Sequence, residues 1–341
     1  MNFRNFKKIE FSITNLSTLI FGRNSLGKTN LLEGINFLLT GEGFKNSKDE
    51  ELINFENNYA IVEGIISKMK ENIHLKITLL KDDKGILRKD LFINGIKKAK
   101  NLYLKEVIPI VIFSPEQLEI VNGPPEKRRD YFNKILSITD SVYKTKLNNY
   151  LQALKKRNKI LEIVKDVNKL KEQLFFWNNY LVDNGLYLLK KREEYINYLN
   201  MNNKLKDKFF GVKYLKKKIN NNIFKENFLK EVRIKKTLIG PHKDDFIFFS
   251  KDNNVNLFGS RSEERLVLFW LKLNELKFYE NYFKNRPLLL LDDIFSELDD
   301  FNKSFILSLL KNYQSIITYT NKEILELINF SNQTSYNTID L

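Results

Sequence analysis

The stretch that most constrains this chain is Leu19-Ile20-Phe21-Gly22-Arg23-Asn24-Ser25-Leu26-Gly27-Lys28-Thr29. A short apolar run enters a loop bounded by Gly22 and Gly27, and Lys28-Thr29 opens a helical pattern, so the order is strand, phosphate-binding loop, helix. Such a loop turns backbone N–H groups inward, and the positive end of the next helix adds to them, so phosphates find donors without many side chains. Gly22 to Thr29 is therefore a candidate nucleotide site, with Arg23, Asn24, Ser25 and Leu26 as its loop residues. Lys28 supplies a point charge for the outer phosphates and Thr29 a hydroxyl for Mg²⁺. The pattern arises by chance in roughly one chain of this length in a hundred, and a strand before it and a helix after it make accident the weaker reading. From Asn30, Leu32, Ile35, Leu38 and Leu39 fall at helical spacing and Gly41 is the expected stop.

Composition bounds the rest. A length of 341 residues, 43% of them hydrophobic, allows one large domain or two to three smaller ones with a real core. No apolar run approaches the eighteen or so residues of a membrane span, and Met1-Asn2-Phe3-Arg4 lacks a signal peptide's apolar middle, so a soluble, cytoplasmic chain without membrane association is expected. Zero cysteines exclude a disulfide framework and a thiolate metal centre, and two histidines, His74 and His242, are too few for a His-rich one. A formal charge of +15 suits an anionic partner, nucleic acid first. Abundant Lys, Asn, Ile and Phe also fit a compositionally biased genome, which weakens the inference from charge alone.

Taken in order, Ile9 to Ile13 and Thr18 to Phe21 read as strands, as do Tyr59 to Ile66 and Ile73 to Leu80. Asn94-Gly95 after Leu91-Phe92-Ile93 is a hairpin signal, and Val107 to Phe113 reads as a buried strand. The character changes at Ser114-Pro115 and at Gly123-Pro124-Pro125. From Glu126 to about Phe210 the pattern predicts three or four helices, with Tyr143, Leu147, Tyr150, Leu151 and Leu154 at helical spacing, and Leu170, Leu174, Trp177 and Leu181 likewise. Packing between helices explains that aromatic stripe better than base stacking does. Strands are expected again at Thr237-Leu238-Ile239 and Phe246 to Phe249, and a helix from Gly259-Ser260 to about Tyr282. Arg286-Pro287-Leu288-Leu289-Leu290-Leu291-Asp292-Asp293 then describes a central strand that delivers two acids to the carboxyl edge of a sheet. Asp292 is the candidate second Mg²⁺ ligand, and Asp293 the candidate base or water-orienting group. Ser296-Glu297-Leu298-Asp299, a helix to Leu310, a strand at Ser315 to Tyr319 and a polar tail complete the chain.

These residues resemble the RecF family, ABC-type ATPases of bacterial recombinational repair whose heads are related to SMC proteins. The likeness runs over almost the whole chain. It is carried by Asn2-Phe3-Arg4-Asn5-Phe6, by Gly22 to Glu33 with its Lys-Thr-Asn-Leu-Leu-Glu continuation, and by Phe113-Ser114-Pro115-Glu116. Gly123 with Arg128-Arg129, Lys156-Arg157-Asn158, Gly240-Pro241-His242-Lys243-Asp244-Asp245 and the acid strand with Ser296 to Asp299 continue it. The resemblance implies an α/β fold: an ABC-type head with an antiparallel β addition, split in sequence by an inserted helical arm. Residues 1–115 would form the N-terminal part of the head, 116–235 the arm, and 236–341 the rest of the head. It further implies a weak ATPase that switches a homodimer on DNA gaps or junctions during repair, the SOS response and replication restart, with RecR and RecO as partners. Arg4 and Ser260 would approach the nucleotide, the latter from the opposite chain, and Ser296 and Asp299 would lie in a loop crossing to the second site. Gln117 is a weaker candidate sensor, and the switch histidine of many ABC ATPases has no counterpart at Thr318-Tyr319-Thr320.

One departure stands out. Where the family carries Ser, a polar residue, Gly and amides before an Arg, this chain has Ser260-Arg261-Ser262-Glu263-Glu264-Arg265. Carboxylates in the first turn stabilise an isolated helix but repel an arriving phosphate, by about 4 kcal/mol for unit charges about 4 Å apart at an effective dielectric near 20. Two other readings compete with the repair ATPase. An ABC-headed nuclease-associated ATPase would call for a further acidic cluster, and a P-loop kinase or GTPase does not account for the long helical insertion.

Overall fold

The computed structural model describes residues 1–13, 16–23, 25–44, 47–68, 71–205, 207–294, 303, 307, 310–320 and 336–341. The chain divides into two compact units: Met1–Pro115 with Leu276–Leu341, and Glu116–Glu275.

The first unit is built on a five-stranded sheet in which every pairing is parallel. Its order is Tyr336–Asp340, Ser17–Phe21, Ser315–Tyr319, Leu288–Asp292, Ile110–Phe113. Strands Leu288–Asp292 and Ser315–Tyr319 are buried along their whole length, as continuous apolar runs in a parallel sheet must be. Their register sets Asp292 beside Thr318 and Phe21 beside Tyr319, so the loops that leave these strands share one edge. Helix Lys28–Thr40 ends as expected at Gly41, whose left-handed φ of 69° lets its N–H return to the Phe37 carbonyl. Leu31, Leu32, Phe37 and Leu38 on that helix join Ile20, Leu290 and Ile316 of the parallel sheet in one apolar core. Leu75, Ile77 and Leu79 from an antiparallel sheet belong to the same core. That second sheet is Tyr59–Lys68, Glu71–Lys81, Leu87–Ile93 and Ile96–Lys98. Its last hairpin turns at Asn94 and Gly95, both at positive φ, as Asn-Gly turns require.

The second unit contains helices Pro125–Thr139, Ser141–Ile163, Val167–Met201 and Asn221–Ile234. The tyrosine stripe packs between helices, with Tyr143 and Tyr150 fully buried. A four-stranded antiparallel sheet accompanies the helices, ordered Asn253–Asn254, Asp245–Ser250, Lys208–Leu215, Lys204–Leu205. Because Asp245–Ser250 pairs with Lys208–Leu215 along six residues, the segment from 236 to 275 falls in this unit. The expected boundary lies at 235/236, whereas the compact units divide inside helix Arg261–Phe283, between Glu275 and Leu276.

Four local expectations are corrected. Ile9 to Ile13 is not a strand; Ile9, Phe11 and Ile13 only lean on the core. Thr237 to Ile239 is not one either, because side chains take its backbone donors: Asn158 Oδ1 accepts from Thr237 N and Glu231 Oε1 from Leu238 N, both at 2.8 Å. The polar tail does contain a strand, Tyr336–Asp340, paired in parallel with Ser17–Phe21. The run Val107 to Phe113 is a strand only from Ile110, and the carbonyl of Pro109 accepts the Leu288 N–H. The expected helix between Asp299 and Leu310 lies mostly outside the described residues, and Asn24, Ser296 and Asp299 lie there entirely.

Candidate functional site: a phosphate-binding loop and an acid pair

The strand Ser17–Phe21 delivers Gly22 to the carboxyl edge of the parallel sheet, and the loop returns to helix Lys28–Thr40 through Gly27 at φ 102°. Only glycine takes that conformation without strain. Lys28 is buried, and its Nζ donates to the carbonyls of Gly22 at 2.6 Å and Arg23 at 3.0 Å. Two of the three ammonium donors thus hold the charge over the loop. One residue on, the Thr29 hydroxyl donates to both carboxylate oxygens of Asp292, at 2.9 and 3.1 Å, across 263 residues of sequence. Parallel register supplies the next partner, as the Thr318 hydroxyl donates to Asp292 Oδ1 at 2.8 Å.

Asp293 leaves the strand in a left-handed conformation, φ 45°. Its N–H donates to Thr318 Oγ1 at 3.0 Å, and the Thr320 hydroxyl reaches its Oδ1 at 3.4 Å. Thr318 therefore ties the two acids together. A pocket of about 220 Å³ lies over these groups, lined by Ser25, Gly27, Lys28, Thr29, Asn30, Asp292 and Asp293. Thr29 and Asp292 offer the hard oxygen donors that Mg²⁺ takes. Two such donors suit an ion completed by waters and nucleotide phosphates, the usual state of Mg²⁺ in phosphate chemistry.

The other sequence candidates fall elsewhere. Arg4 does not line this pocket: its guanidinium forks onto Glu33 at 2.6 and 2.9 Å, and this hydrogen-bonded pairing raises its pKa. Gly22 and Arg23 contribute the carbonyls that hold Lys28, while the Leu26 side chain is exposed. Ser260 caps helix Arg261–Phe283. Its Oγ accepts from the Glu263 N–H, and the Glu263 carboxylate returns to the Ser260 N–H at 3.0 Å and hydroxyl at 3.1 Å. The Ser260 N–H bond lowers the pKa of Glu263. Glu264 accepts from Asn122 Nδ2 at 2.9 Å. Both carboxylates of the altered signature are thus engaged within their own unit.

Sequence reasoning left Asn5, Asn30, Thr318 and His242 without roles. The first two sit inside the quoted motifs, and Thr318 ends the strand beside Asp292. His242 is explained by the segment Gly240 to Asp245, which lies at the centre of a buried polar network. Arg192 donates to Asp244 at 2.6 Å and to the Pro241 carbonyl at 2.8 Å. Arg128 forks onto Asp245 at 2.7 and 3.2 Å, and Arg157 reaches Glu231 at 2.6 Å and Thr237 Oγ1 at 2.8 Å. His242 Nε2 faces the Thr237 carbonyl, so it carries the proton, and Nδ1 accepts from the Tyr150 hydroxyl at 2.7 Å. Burial lowers its pKa to about 4 and keeps the ring neutral. A Cβ on Gly240 would stand 2.4 Å from the Tyr150 oxygen, which explains the glycine.

A parallel sheet that brings a phosphate-binding loop and an acid pair to one edge, with an antiparallel addition, defines an ABC-type P-loop ATPase head. The model of the RecF/RecN/SMC N-terminal domain matches residues 1–337. The chain is 32% identical to the DNA replication and repair protein RecF of Natranaerobius thermophilus, covering 94% of this chain and 90% of the relative. It is 33% identical to that of Clostridium beijerinckii, covering 93% and 89%. Among solved structures, the recombination mediator protein RecF described with ATPrS superimposes with a TM-score of 0.87 at 29% identity, over 100% of this chain and 94% of that one. The same mediator described with ATP gives 0.83 at 30%, over 94% and 90%. This chain belongs to the RecF family.

Proposed function

We propose that this chain is a cytoplasmic, ATP-dependent DNA-binding protein of recombinational repair and replication restart. ATP binding would close a homodimer on DNA and slow hydrolysis would open it. The observation that carries this reading is the meeting of Thr29 with Asp292 beside Lys28, inside a pocket at the carboxyl edge of the sheet. Support for the biological setting comes from relatives named DNA replication and repair proteins and from a similar structure described with ATP in the RecFOR pathway. RecR and RecO are the protein partners this reading takes from that pathway.

In this mechanism Lys28 leaves the Gly22 and Arg23 carbonyls for the outer phosphates, while backbone N–H groups of the loop receive the inner ones. Thr29 and Asp292 would hold Mg²⁺, which when bound supplies neutralisation of phosphate charge. Asp293 orients the attacking water and accepts its proton, with its backbone fixed by Thr318. A carboxylate one methylene shorter than glutamate reaches less far, which suits slow turnover. Ser260 presents the first turn of its helix to the nucleotide held by the other copy. Differential affinity of ATP for the closed dimer is then the whole source of the switch.

Lys28→Ala tests the site. The variant is expected to keep its circular dichroism spectrum and to lose at least tenfold in ATP affinity by calorimetry. Parental affinity in the variant would remove the assignment.

A further inference from the structure

The start of the chain grips the phosphate-binding loop through one side chain. Phe3 and Phe6 exchange backbone hydrogen bonds at 3.0 and 2.9 Å, closing a tight turn with Arg4 at φ 52°. This turn is fastened from several sides. Phe3 lies in the apolar core with its ring 5.8 Å from that of Phe37, Arg4 forks onto Glu33, and Asn54 Nδ2 donates to the Arg4 carbonyl at 2.7 Å. Asn5 is thereby presented to the loop with little freedom. Its Nδ2 donates to the Leu26 carbonyl at 3.1 Å, and its Oδ1 accepts from Asn30 Nδ2 at 2.8 Å, in the first turn of the loop helix. The fit is close, since a Cβ on Gly27 would stand 2.5 Å from Asn5 Nδ2 and 2.8 Å from the Phe6 ring.

We propose that Asn5 is a positioning residue for the nucleotide site: by holding the Leu26 carbonyl it aims the Gly27 N–H at the phosphates. The step is geometric. In a trans peptide the C=O and the next N–H point in opposite directions, so a Leu26 carbonyl drawn to Asn5 turns the Gly27 N–H away from it. Gly27 lines the pocket, where that N–H is a phosphate donor. The bond to Asn30 ties the same clasp to the helix start, which links the Asn2–Phe6 motif to the continuation after Lys28 in one device. This inference rests on the loop being a nucleotide site.

The test uses the full chain and ADP with Mg²⁺. One hydrogen bond between neutral groups contributes a factor of about three to ten. Asn5→Ala is therefore expected to weaken ADP binding about three- to tenfold in calorimetry, and to raise KM for ATP more than it lowers kcat. It should also shift the Gly27 amide resonance of unliganded, ¹⁵N-labelled protein, a signature that general loss of stability does not produce. Asn5→Asp guards against misfolding of the alanine variant: it keeps the size of the side chain and its acceptor for Asn30 but cannot donate to Leu26. Its loss of ADP affinity should persist in about 0.5 M NaCl, where repulsion through space is screened. ADP affinity within twofold of the parent in both variants, or full recovery of Asn5→Asp in salt, overturns the proposal while leaving the site intact. A parent chain that does not bind ADP overturns the nucleotide reading and the proposal with it.

Discussion

At the residue scale, the histidine of the segment Gly240 to Asp245 serves the fold. His242 stays neutral because burial penalises its charged form, and Lys243, Arg129 and Arg157 push its pKa down further against the opposing Thr237 bond. Its pKa in the fold is about 4, against an ordinary 6.5. The depressed value means that His242 contributes stability above pH 6.5 and that this contribution is lost as the pH falls from 6.5 toward 4. Between pH 7.5 and 4.5 the loss amounts to about 2–3 kcal/mol. His242→Gln should be less stable than the parent at pH 7.5 and show an acid-induced loss smaller by that amount. Urea unfolding followed by tryptophan fluorescence reads this directly, because Trp177 and Trp270 both lie in the unit Glu116–Glu275. Equal acid sensitivity in parent and variant would show that His242 titrates normally.

At the element scale, what was legible in the sequence is what chemistry requires to be contiguous. Strand, loop and helix around Gly22 to Thr29 could be read because phosphate binding needs them in series, and Leu288 to Asp293 because a buried parallel strand is an unbroken apolar run. Elements defined by distant partners were not legible. Tyr336–Asp340 mixes polar and apolar residues and is a strand only through its register with the loop strand. Thr237 to Ile239 has the composition of a strand but spends its donors on Asn158 and Glu231. Arg4 was recognisable as part of a motif, yet nothing local announces its pairing with Glu33. Ser260 shows both sides: the Ser-x-x-Glu spacing is a capping box in sequence, and the structure closes it. Ser260→Ala should therefore cost about 1 kcal/mol in urea unfolding. Glu263→Gln, which keeps an acceptor for the box, should cost less. The reverse order of the two would mean that the carboxylate charge, not the cap, stabilises this helix.

At the scale of the whole molecule, the proposed cycle couples a small site to a large assembly, and both halves of that coupling can be measured on one variant. Asp293→Asn keeps the shape of the side chain and removes its ability to take a proton, while on the proposed reading Lys28, Thr29 and Asp292 would still hold nucleotide. ATP should then drive the variant to a lasting dimer, seen as an ATP-dependent increase in sedimentation coefficient that persists after the parent has reverted to monomer. In the proposed cycle, DNA binding depends on the same state. A chain with net charge +15 meets phosphates through Lys and Arg, and each neutralised phosphate adds about 0.9 to the slope of log affinity against log salt on duplex DNA. Two copies closed around one duplex present about twice the cations of one copy. The salt slope of ATP-loaded Asp293→Asn should therefore be about double that of the nucleotide-free chain, and its affinity higher at every salt concentration. Equal slopes with and without ATP would separate DNA binding from dimer closure and leave the ATP switch without its proposed output.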